Sequence, residues 1–298
     1  MSLYKQKESN IRKTWLLMSL FLIVVIAIGW VFSQLYGNSV ILVVAITFSF
    51  VMSFVSYWYS DKIVLKISKA KEAKKENMPE LYNIVENLSI TAGLPMPRIY
   101  LINEKAPNAF ATGRNPEHAV VAVTSGLVER LDRSELEGVL AHELAHIGNR
   151  DILLSTVVVV LVGFVALLGD FFLRSLFWGG LGRDRNRGNS GIYLMIIGLA
   201  LAILAPIATT LIHLAISRKR EFLADSSGAL LTRYPEGLAS ALIKISQDDT
   251  PLRIANRATN HLWISEPRKP KKGLGFGKLF TTHPPTEERV RRLRGLEI

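Results

Sequence analysis

The chain has 298 residues, of which 49% are hydrophobic, and a formal net charge of +11 at neutral pH. Because its Lys and Arg residues cluster at the ends of long apolar stretches, the charge indicates segments beside a membrane and argues against nucleic-acid binding. The chain has no cysteine, which excludes disulfides and thiolate sites, so that any metal must bind to His, Asp or Glu.

Four apolar stretches are long enough to cross a bilayer, which takes about 20 residues. The first two, residues 14–35 and 39–59, are joined by a short uncharged turn and predict a pair of membrane helices within residues 1–60. The third and fourth stretches span residues 152–173 and 192–216. The first stretch is too long for a signal peptide, and another span follows it at once.

Charged residues beside these spans predict their orientation. Basic residues precede the first span, follow the second and follow the fourth, so we expect these flanks to be cytoplasmic. The segment 174–191 is also basic, which disagrees with this arrangement. We expect it to cross the membrane despite its charge, and a shallow hairpin of the third and fourth spans is the alternative.

Two soluble parts, residues 61–151 and 217–298, flank the spans within residues 152–216. The first is predicted to be mixed α/β, and Ser134 and Glu137 have the spacing of a capping box for a helix that begins at Glu135. Its other predicted elements are a helix over Pro79–Ala92 and strands over Arg98–Ile102, Asn108–Thr112 and Ala119–Val123. The second part is predicted to have helices over Glu221–Leu231, Pro235–Ile245 and Pro285–Leu293, with a loop over Glu266–Lys278.

The residues His142-Glu143-Leu144-Ala145-His146 form an H-E-x-x-H motif inside the predicted helix. Residues four apart share a helical face, so both imidazoles can bind one zinc ion. Glu143 follows His142 directly, which places its carboxylate where it can take a proton from a metal-activated water and pass it to a leaving amine. The alternative is a helix that carries two histidines by chance.

A catalytic zinc requires a third protein ligand and one open position. In related motifs this ligand is a His at position 152 or a Glu at position 166, but the chain has Ile152 and Ala166. Glu221 is the best candidate, because a hairpin of the third and fourth spans would bring it beside the histidines. The alternative is a solvated acid paired with a neighbouring basic residue. Asp225, on the same helical face, would then accept the remaining N–H of a ligand histidine.

Further residues are candidates for substrate binding and catalysis. The strand that contains Asn108, Ala109, Phe110 and Ala111 is expected to form an exposed sheet edge above the metal, where a substrate could add as a strand. The alternative is an ordinary turn and strand. His283 could donate a hydrogen bond to the oxyanion of the reaction, or it could be structural. Arg289 has the same two interpretations, and we place it around the metal ligands with Asp225. The other three histidines, His118, His213 and His261, are interpreted as structural or surface residues.

The sequence resembles the M48 metallopeptidases. The stretches that carry the resemblance are Pro107–Gly113, His142–His146, Arg220–Asp225 and Thr282–Arg289. The resemblance implies a zincin-like fold, one zinc ion per chain with Glu221 as its third ligand, and cleavage of damaged membrane proteins on the cytoplasmic side of a bacterial cell membrane.

These observations together predict an α+β integral membrane protein with four transmembrane helices and a metallopeptidase domain that is mostly helical with a small sheet. Its expected partners are the lipid bilayer and polypeptide substrates. A protease for lipid-modified peptides and a non-catalytic zinc-containing scaffold are the alternatives, and the intact Glu143 argues against the scaffold. His146 lies five residues before Asp151, at the start of the third span, which is about 8 Å if the motif helix continues into that span. The metal is therefore expected just above the cytoplasmic membrane surface.

Overall fold

A computed structural model describes residues 3–164, 217–255, 259–265 and 283–296 of the chain. Most of the predicted soluble domain therefore lies within the described residues, together with the first two spans and the start of the third. Several predicted features lie outside them: the segment 174–191, the fourth span over 192–216, His213 within that span, and the loop over 266–278.

Two helices in the described part are long and apolar enough to cross a membrane. The first is α1 (Leu3–Tyr36), whose membrane-spanning candidate is Glu8–Gln34, and the second is α2 (Ser39–Trp58). They pack against each other on either side of Gly37, which adopts a left-handed conformation with φ +60°. The predicted bounds of the second span agree with α2 to within one residue, whereas α1 begins earlier because its polar first residues continue the helix.

A small mixed sheet follows the membrane helices. It is preceded by helix α3 (Ser60–Ile67), and its strand order is β1-β2-β4-β3. The strands are β1 (Lys71–Glu72), β2 (Arg98–Ile102), β3 (Ala109–Thr112) and β4 (Val120–Thr124). Strands β2 and β4 pair in parallel, and the other two pairs are antiparallel. The three strands predicted from the sequence are present, with starts displaced by at most one residue.

Helix α4 (Pro79–Ala92) covers the sheet and has the predicted bounds. Pro79 opens it, because a proline at the first helical position loses no helical hydrogen bond, and Gly93 ends it in a left-handed conformation with φ +63°. A short helix, α5 (Ser125–Arg130), follows β4 and leads to the helix that carries the H-E-x-x-H motif.

The motif helix is α6 (Arg133–Gly148), and its capping box differs from the prediction. Asp132 is the N-cap residue: its side chain accepts from Glu135 N at 3.0 Å, and the Glu135 carboxylate accepts from Asp132 N at 2.9 Å. The predicted pair of Ser134 and Glu137 was therefore displaced by two residues. Asp and Ser are both good N-caps, and here the earlier residue forms the cap because Glu135 is buried and also binds Lys244 at 2.7 Å.

The motif helix does not continue into the third span. Helix α7 (Asp151–Phe164) begins after a break at Asn149 and Arg150, and its axis is bent by 85° from that of α6. Arg150 has φ +58°, the left-handed conformation that commonly follows the end of a helix. The expectation of a continuous helix was wrong, because the chain turns at this residue. The predicted third span begins as α7, and its part beyond Phe164 lies outside the described residues.

The C-terminal part is helical, as predicted. It consists of α8 (Arg218–Thr232), α9 (Pro235–Gln247) and α10 (Thr286–Arg294), with Pro285 as the residue before α10. Helices α8 and α9 pack against α6, and one buried apolar cluster joins these three helices to the sheet. A second cluster joins α1 and α7 to Phe110 of β3 and to Trp263. The motif helix therefore lies at the centre of the described fold.

Candidate metal centre

Three predicted ligands converge between helices α6 and α8. The Nε2 atoms of His142 and His146 lie 3.1 Å apart. A carboxylate oxygen of Glu221 lies 3.8 Å from the first of these nitrogens, and the other oxygen lies 3.5 Å from the second. Two ligands bound at about 2.0–2.1 Å to a tetrahedral zinc would lie about 3.3 Å apart, so these three distances suit such an ion.

Close contact between the two helices brings the ligands together. Gly228 lies on α8 at a point where a Cβ atom would come within 2.9 Å of the backbone nitrogen of His142. A real Cβ atom would therefore push α8 away from α6, and Glu221 with it. Glycine lowers helix stability at this position, but its small size allows the approach that the ligand set requires.

The remaining nitrogen of each histidine contacts a carboxylate. Nδ1 of His142 lies 2.9 Å from Asp225 Oδ1, as predicted for a supporting residue, and Nδ1 of His146 lies 3.0 Å from Asp151 Oδ2. A carboxylate can only accept, so each Nδ1 carries the proton and each Nε2 presents a lone pair. Two nitrogen lone pairs and a carboxylate thus face one another.

The electrostatics of the site favour a positive charge among these three acceptors. Burial lowers the pKa of His146, but hydrogen bonding to Asp151 and the charge of Glu221 outweigh burial and raise it to about 9. Burial lowers the pKa of His142 to about 4, although Asp225 acts in the opposite direction, so that His142 is neutral. A zinc ion would supply this positive charge in place of the second proton on His146, and it would then bind two neutral imidazoles and a carboxylate.

Arg289 holds Asp225 in place from helix α10. Its guanidinium donates to both carboxylate oxygens, at 2.9 and 2.6 Å, and also to the carbonyl of Ile264 at 3.0 Å. Burial raises the pKa of Asp225, but the charge and hydrogen bonds of Arg289 outweigh burial and lower it to about 2. The sequence placed Arg289 around the ligands but did not predict that it acts through Asp225.

Glu143 lies beside the three ligands and is buried. Burial raises its pKa to about 7, and the nearby His146 acts in the opposite direction. The backbone N–H of Ala111 on strand β3 also acts to lower this pKa. The carboxylate therefore has the pKa of a group that can exchange a proton near neutral pH.

His283 contacts the third ligand. Its Nδ1 lies 2.9 Å from Glu221 Oε2, and both residues line the same small cavity as Glu143. Burial raises the pKa of Glu221, but His283 and the two motif histidines together hold it well below its usual value. Within the described residues, the buried Nε2 of His283 has no hydrogen-bond partner. Because Nδ1 faces a carboxylate and therefore carries a proton, Nε2 can donate to a ligand in the cavity only when the imidazole is protonated at both nitrogens.

Strand β3 is at the edge of the sheet, as predicted, but the edge is not exposed. All four of its residues are buried, and the carbonyl of Ala109 accepts a hydrogen bond from Ile264 N at 3.0 Å. The side chain of Asn108 binds the backbone of Ser265, and Phe110 packs edge-on against Trp263. The expectation of an exposed edge was wrong, because the segment 263–265 lies along it. Ala111 alone of the four predicted residues lines the cavity.

The sequence did not assign two residues of this site. Asp151 was considered only as the start of a span, but the bend after α6 directs its carboxylate to His146. His261 was interpreted as structural or surface, yet it is buried, lines the cavity and contacts the carbonyl of Ser155 at 3.1 Å. No spacing rule links either residue to the motif. His118, in contrast, binds Arg114 and Asn115 in an exposed turn away from the site.

Comparisons with known proteins agree with this geometry. The model of peptidase family M48 matches residues 75–297. A protein named Protease HtpX homolog from Caldanaerobacter subterraneus is 47% identical over 305 residues, covering 100% of this chain and 99% of that protein. A protein of the same name from Pyrococcus furiosus is 48% identical over 289 residues, covering 96% of each.

Among solved structures, the crystal structure of S. mikatae Ste24p is similar in fold, with a TM-score of 0.51 and 20% sequence identity. The match covers 94% of this chain and 66% of that protein. This chain is a metalloprotease by family, and two of its described helices are long and apolar enough to cross a membrane. The chain belongs to peptidase family M48.

Proposed function

We propose that the chain is a zinc-dependent endopeptidase that cleaves misfolded or damaged membrane proteins at the cytoplasmic face of a cell membrane. The observation that carries the proposal is the group of three acceptors from His142, His146 and Glu221, with the buried carboxylate of Glu143 beside them. A site that only stabilises the fold does not need a base, so this carboxylate favours hydrolysis over a structural role.

Zinc would be held by His142, His146 and Glu221 and would supply Lewis acidity, which makes water more acidic and polarises a peptide carbonyl. Glu143 takes the proton from the attacking water and transfers it to the nitrogen of the leaving amine. The backbone N–H of Ala111 is proposed to direct the Glu143 carboxylate into the cavity that both residues line. His283, in its doubly protonated form, is proposed to donate from Nε2 to the oxyanion while Nδ1 donates to Glu221.

The substrate is proposed to bind as an extended segment along β3, with Ala111 as the residue nearest to the reaction. Because Ile264 already donates to Ala109, an added strand must displace this contact or pair beyond it. We also propose that the metal lies on the cytoplasmic side, near the start of α1. The four spans and the domain boundaries that we predicted are parts of the same proposal.

The test is proteolysis of casein by the purified chain in detergent, with chelation followed by zinc. Glu143→Gln is expected to retain one zinc per chain and to lose cleavage, because glutamine cannot accept the proton. Glu137→Gln provides a matched control, since it makes the same change on an exposed side of α6. Full cleavage by Glu143→Gln would exclude the proposed base, and absence of zinc from the wild-type protein would exclude the metal site.

Two further measurements address substrate and orientation. Cleavage of a destabilised single-span membrane protein is compared with cleavage of its folded form in the same vesicles, and equal rates would exclude quality control as the role. A tag in the segment 174–191 that is accessible from outside intact cells would support the four-span arrangement. Protection of that tag would favour the shallow hairpin and contradict the crossing.

A further inference from the structure

A polar residue of the first membrane helix reaches the candidate metal centre. Asn10 lies near the start of the membrane-spanning candidate Glu8–Gln34 and is 1% exposed. Its side-chain Nδ2 donates to the backbone carbonyl of Asn149 at 3.2 Å and to Oδ1 of Asp151. Both acceptors lie at the 85° bend that follows the motif helix.

The same amide also contacts the segment that carries the third ligand. Nη1 of Arg220 lies 3.5 Å from Oδ1 of Asn10, and Arg220 directly precedes Glu221. Arg220 Nε lies 3.8 Å from Asp151 Oδ1 as well. The two donors and the acceptor of the Asn10 amide are therefore all engaged, which fixes its orientation between the two ligand-bearing segments.

Asp151 transmits this contact to the metal ligand. Its Oδ1 accepts from Asn10, and its Oδ2 contacts Nδ1 of His146 at 3.0 Å. Carboxylates in this position orient the imidazole and set its tautomer, and replacing them typically costs about 10–100-fold in metal affinity or activity. The rotation of the Asp151 carboxylate depends in turn on the partners of its other oxygen, which are the hydrogen-bond donor Asn10 and, at 3.8 Å, Nε of Arg220.

Apolar packing fixes the position of Asn10. Asn10, Thr14, Leu17 and Phe21 have a spacing of four, three and four residues, so they lie on one face of α1. All four are buried, and the two apolar residues belong to the cluster that includes α7. The polar contact at Asn10 thus continues a packed interface between the first membrane helix and the helix that begins at Asp151.

We propose that Asn10 is a positioning residue for the metal centre, through which the first membrane helix orients His146 by way of Asp151. The inference rests on the proposed zinc site. It means that α1 is a component of the catalytic domain in addition to a membrane anchor. A change in how α1 sits in the bilayer would therefore alter the binding of zinc at a site that no residue of α1 touches directly.

The test uses Asn10→Asp in the full-length protein in detergent. This change keeps the shape of the side chain but places a carboxylate against that of Asp151. Zinc affinity, measured by competition with a chelating dye, is expected to fall about tenfold. Arg12→Gln is the matched control, because it makes the same change of net charge on the exposed side of α1 and should leave the affinity unchanged.

A reciprocal exchange separates positioning from loss of folding. In the double variant Asn10→Asp with Asp151→Asn, the amide and the carboxylate change places, and the oxygen of the amide introduced at position 151 can still accept from His146. Because Asp151→Asn alone also weakens zinc binding, the double variant is expected to lose at least threefold less affinity than the product of the two single losses. The visible absorption of the cobalt-loaded protein, which reports ligand geometry, should shift in Asn10→Asp and return towards wild type in the double variant.

The outcomes distinguish the inference from the proposed function. If wild-type protein binds zinc and Asn10→Asp binds it within twofold of Arg12→Gln, the positioning role is refuted and the zinc site stands. If wild-type protein binds no zinc, the proposed function itself fails. Should Asn10→Asp not fold, Asn10→Ala takes its place, and an unchanged cobalt spectrum in that variant would likewise refute the inference.

Discussion

The ion pair between Arg289 and Asp225 provides a sharp test of how burial affects the site. The two side chains are 2% and 4% exposed, and the guanidinium donates to both carboxylate oxygens. Helix α10 carries a second pair with the same two-pronged geometry, between Arg294 and Glu236 at 3.0 and 2.7 Å. There the side chains are 53% and 43% exposed. The two pairs differ chiefly in their access to water.

Replacement of each arginine by methionine should therefore have very different effects. Arg289→Met leaves the carboxylate of Asp225 buried without its cation, and it also removes the donor to Ile264. Breaking a buried pair in this way costs about 3–5 kcal/mol, which corresponds to a fall in Tm of about 10 °C for a domain of this size. Arg294→Met should leave Tm almost unchanged, because an exposed pair gains little in water.

The assay is thermal unfolding of both variants and the wild type in the same detergent, with zinc and with a chelator. The fall in Tm for Arg289→Met should persist with the chelator, since it arises from the unpaired carboxylate. With zinc, the fall in Tm for Arg289→Met should be larger, because Asp225 no longer holds His142 firmly and the variant therefore gains less stability from binding zinc. If Arg289→Met lowers Tm no more than Arg294→Met does, then burial does not govern the strength of this pair and the argument fails.

Three further predictions concern the helices and the metal. Gly228→Ala should weaken zinc binding by about tenfold, because its Cβ would lie 2.9 Å from the backbone of His142. Gly148→Ala is the control: its Cβ would contact only Leu94, at 3.6 Å, and the variant should bind zinc as the wild type does. Equal affinities of the two variants would contradict the close approach of the helices. Asp132→Ala should lower the free energy of unfolding by about 1 kcal/mol, and Ser134→Ala should lower it much less, as measured by chemical denaturation. The reverse order would support the capping box of Ser134 and Glu137 that the sequence predicts. Chelation should lower Tm, zinc should restore it and Mg²⁺ should not; restoration by Mg²⁺ would argue against a site of two imidazoles and one carboxylate.

The sequence predicted those features that depend on local spacing. Helix α4 has its predicted bounds because a proline opens it and a glycine ends it, and both signals act within a few residues. The H-E-x-x-H spacing placed His142 and His146 on one face of a helix for the same reason. The structure also brings Glu221 beside them, which required only the assumption that two distant segments meet.

Features that depend on the direction of the chain or on distant contacts were missed. The chain turns at Arg150, which has a left-handed backbone conformation although it is not a glycine, the residue that usually indicates such a turn. The bend and the contact of Asp151 with His146 were therefore not predicted. The covering of strand β3 by Ile264 joins residues more than 150 positions apart. The sequence analysis does not single out Asn10, because nothing in its neighbours distinguishes a buried amide from a solvated one.

The assembly of the ligand set from separate helices has a consequence for the life of the protein in the cell. His142 and Glu221 belong to distant parts of the chain, and Arg289 supports His142 through Asp225 from a third part. The free energy of binding zinc would therefore also be free energy that holds these parts together. A newly made chain would reach its full stability only when it acquires the ion. In a cell that lacks zinc, this protease would be exposed to the degradation that we propose it carries out on others.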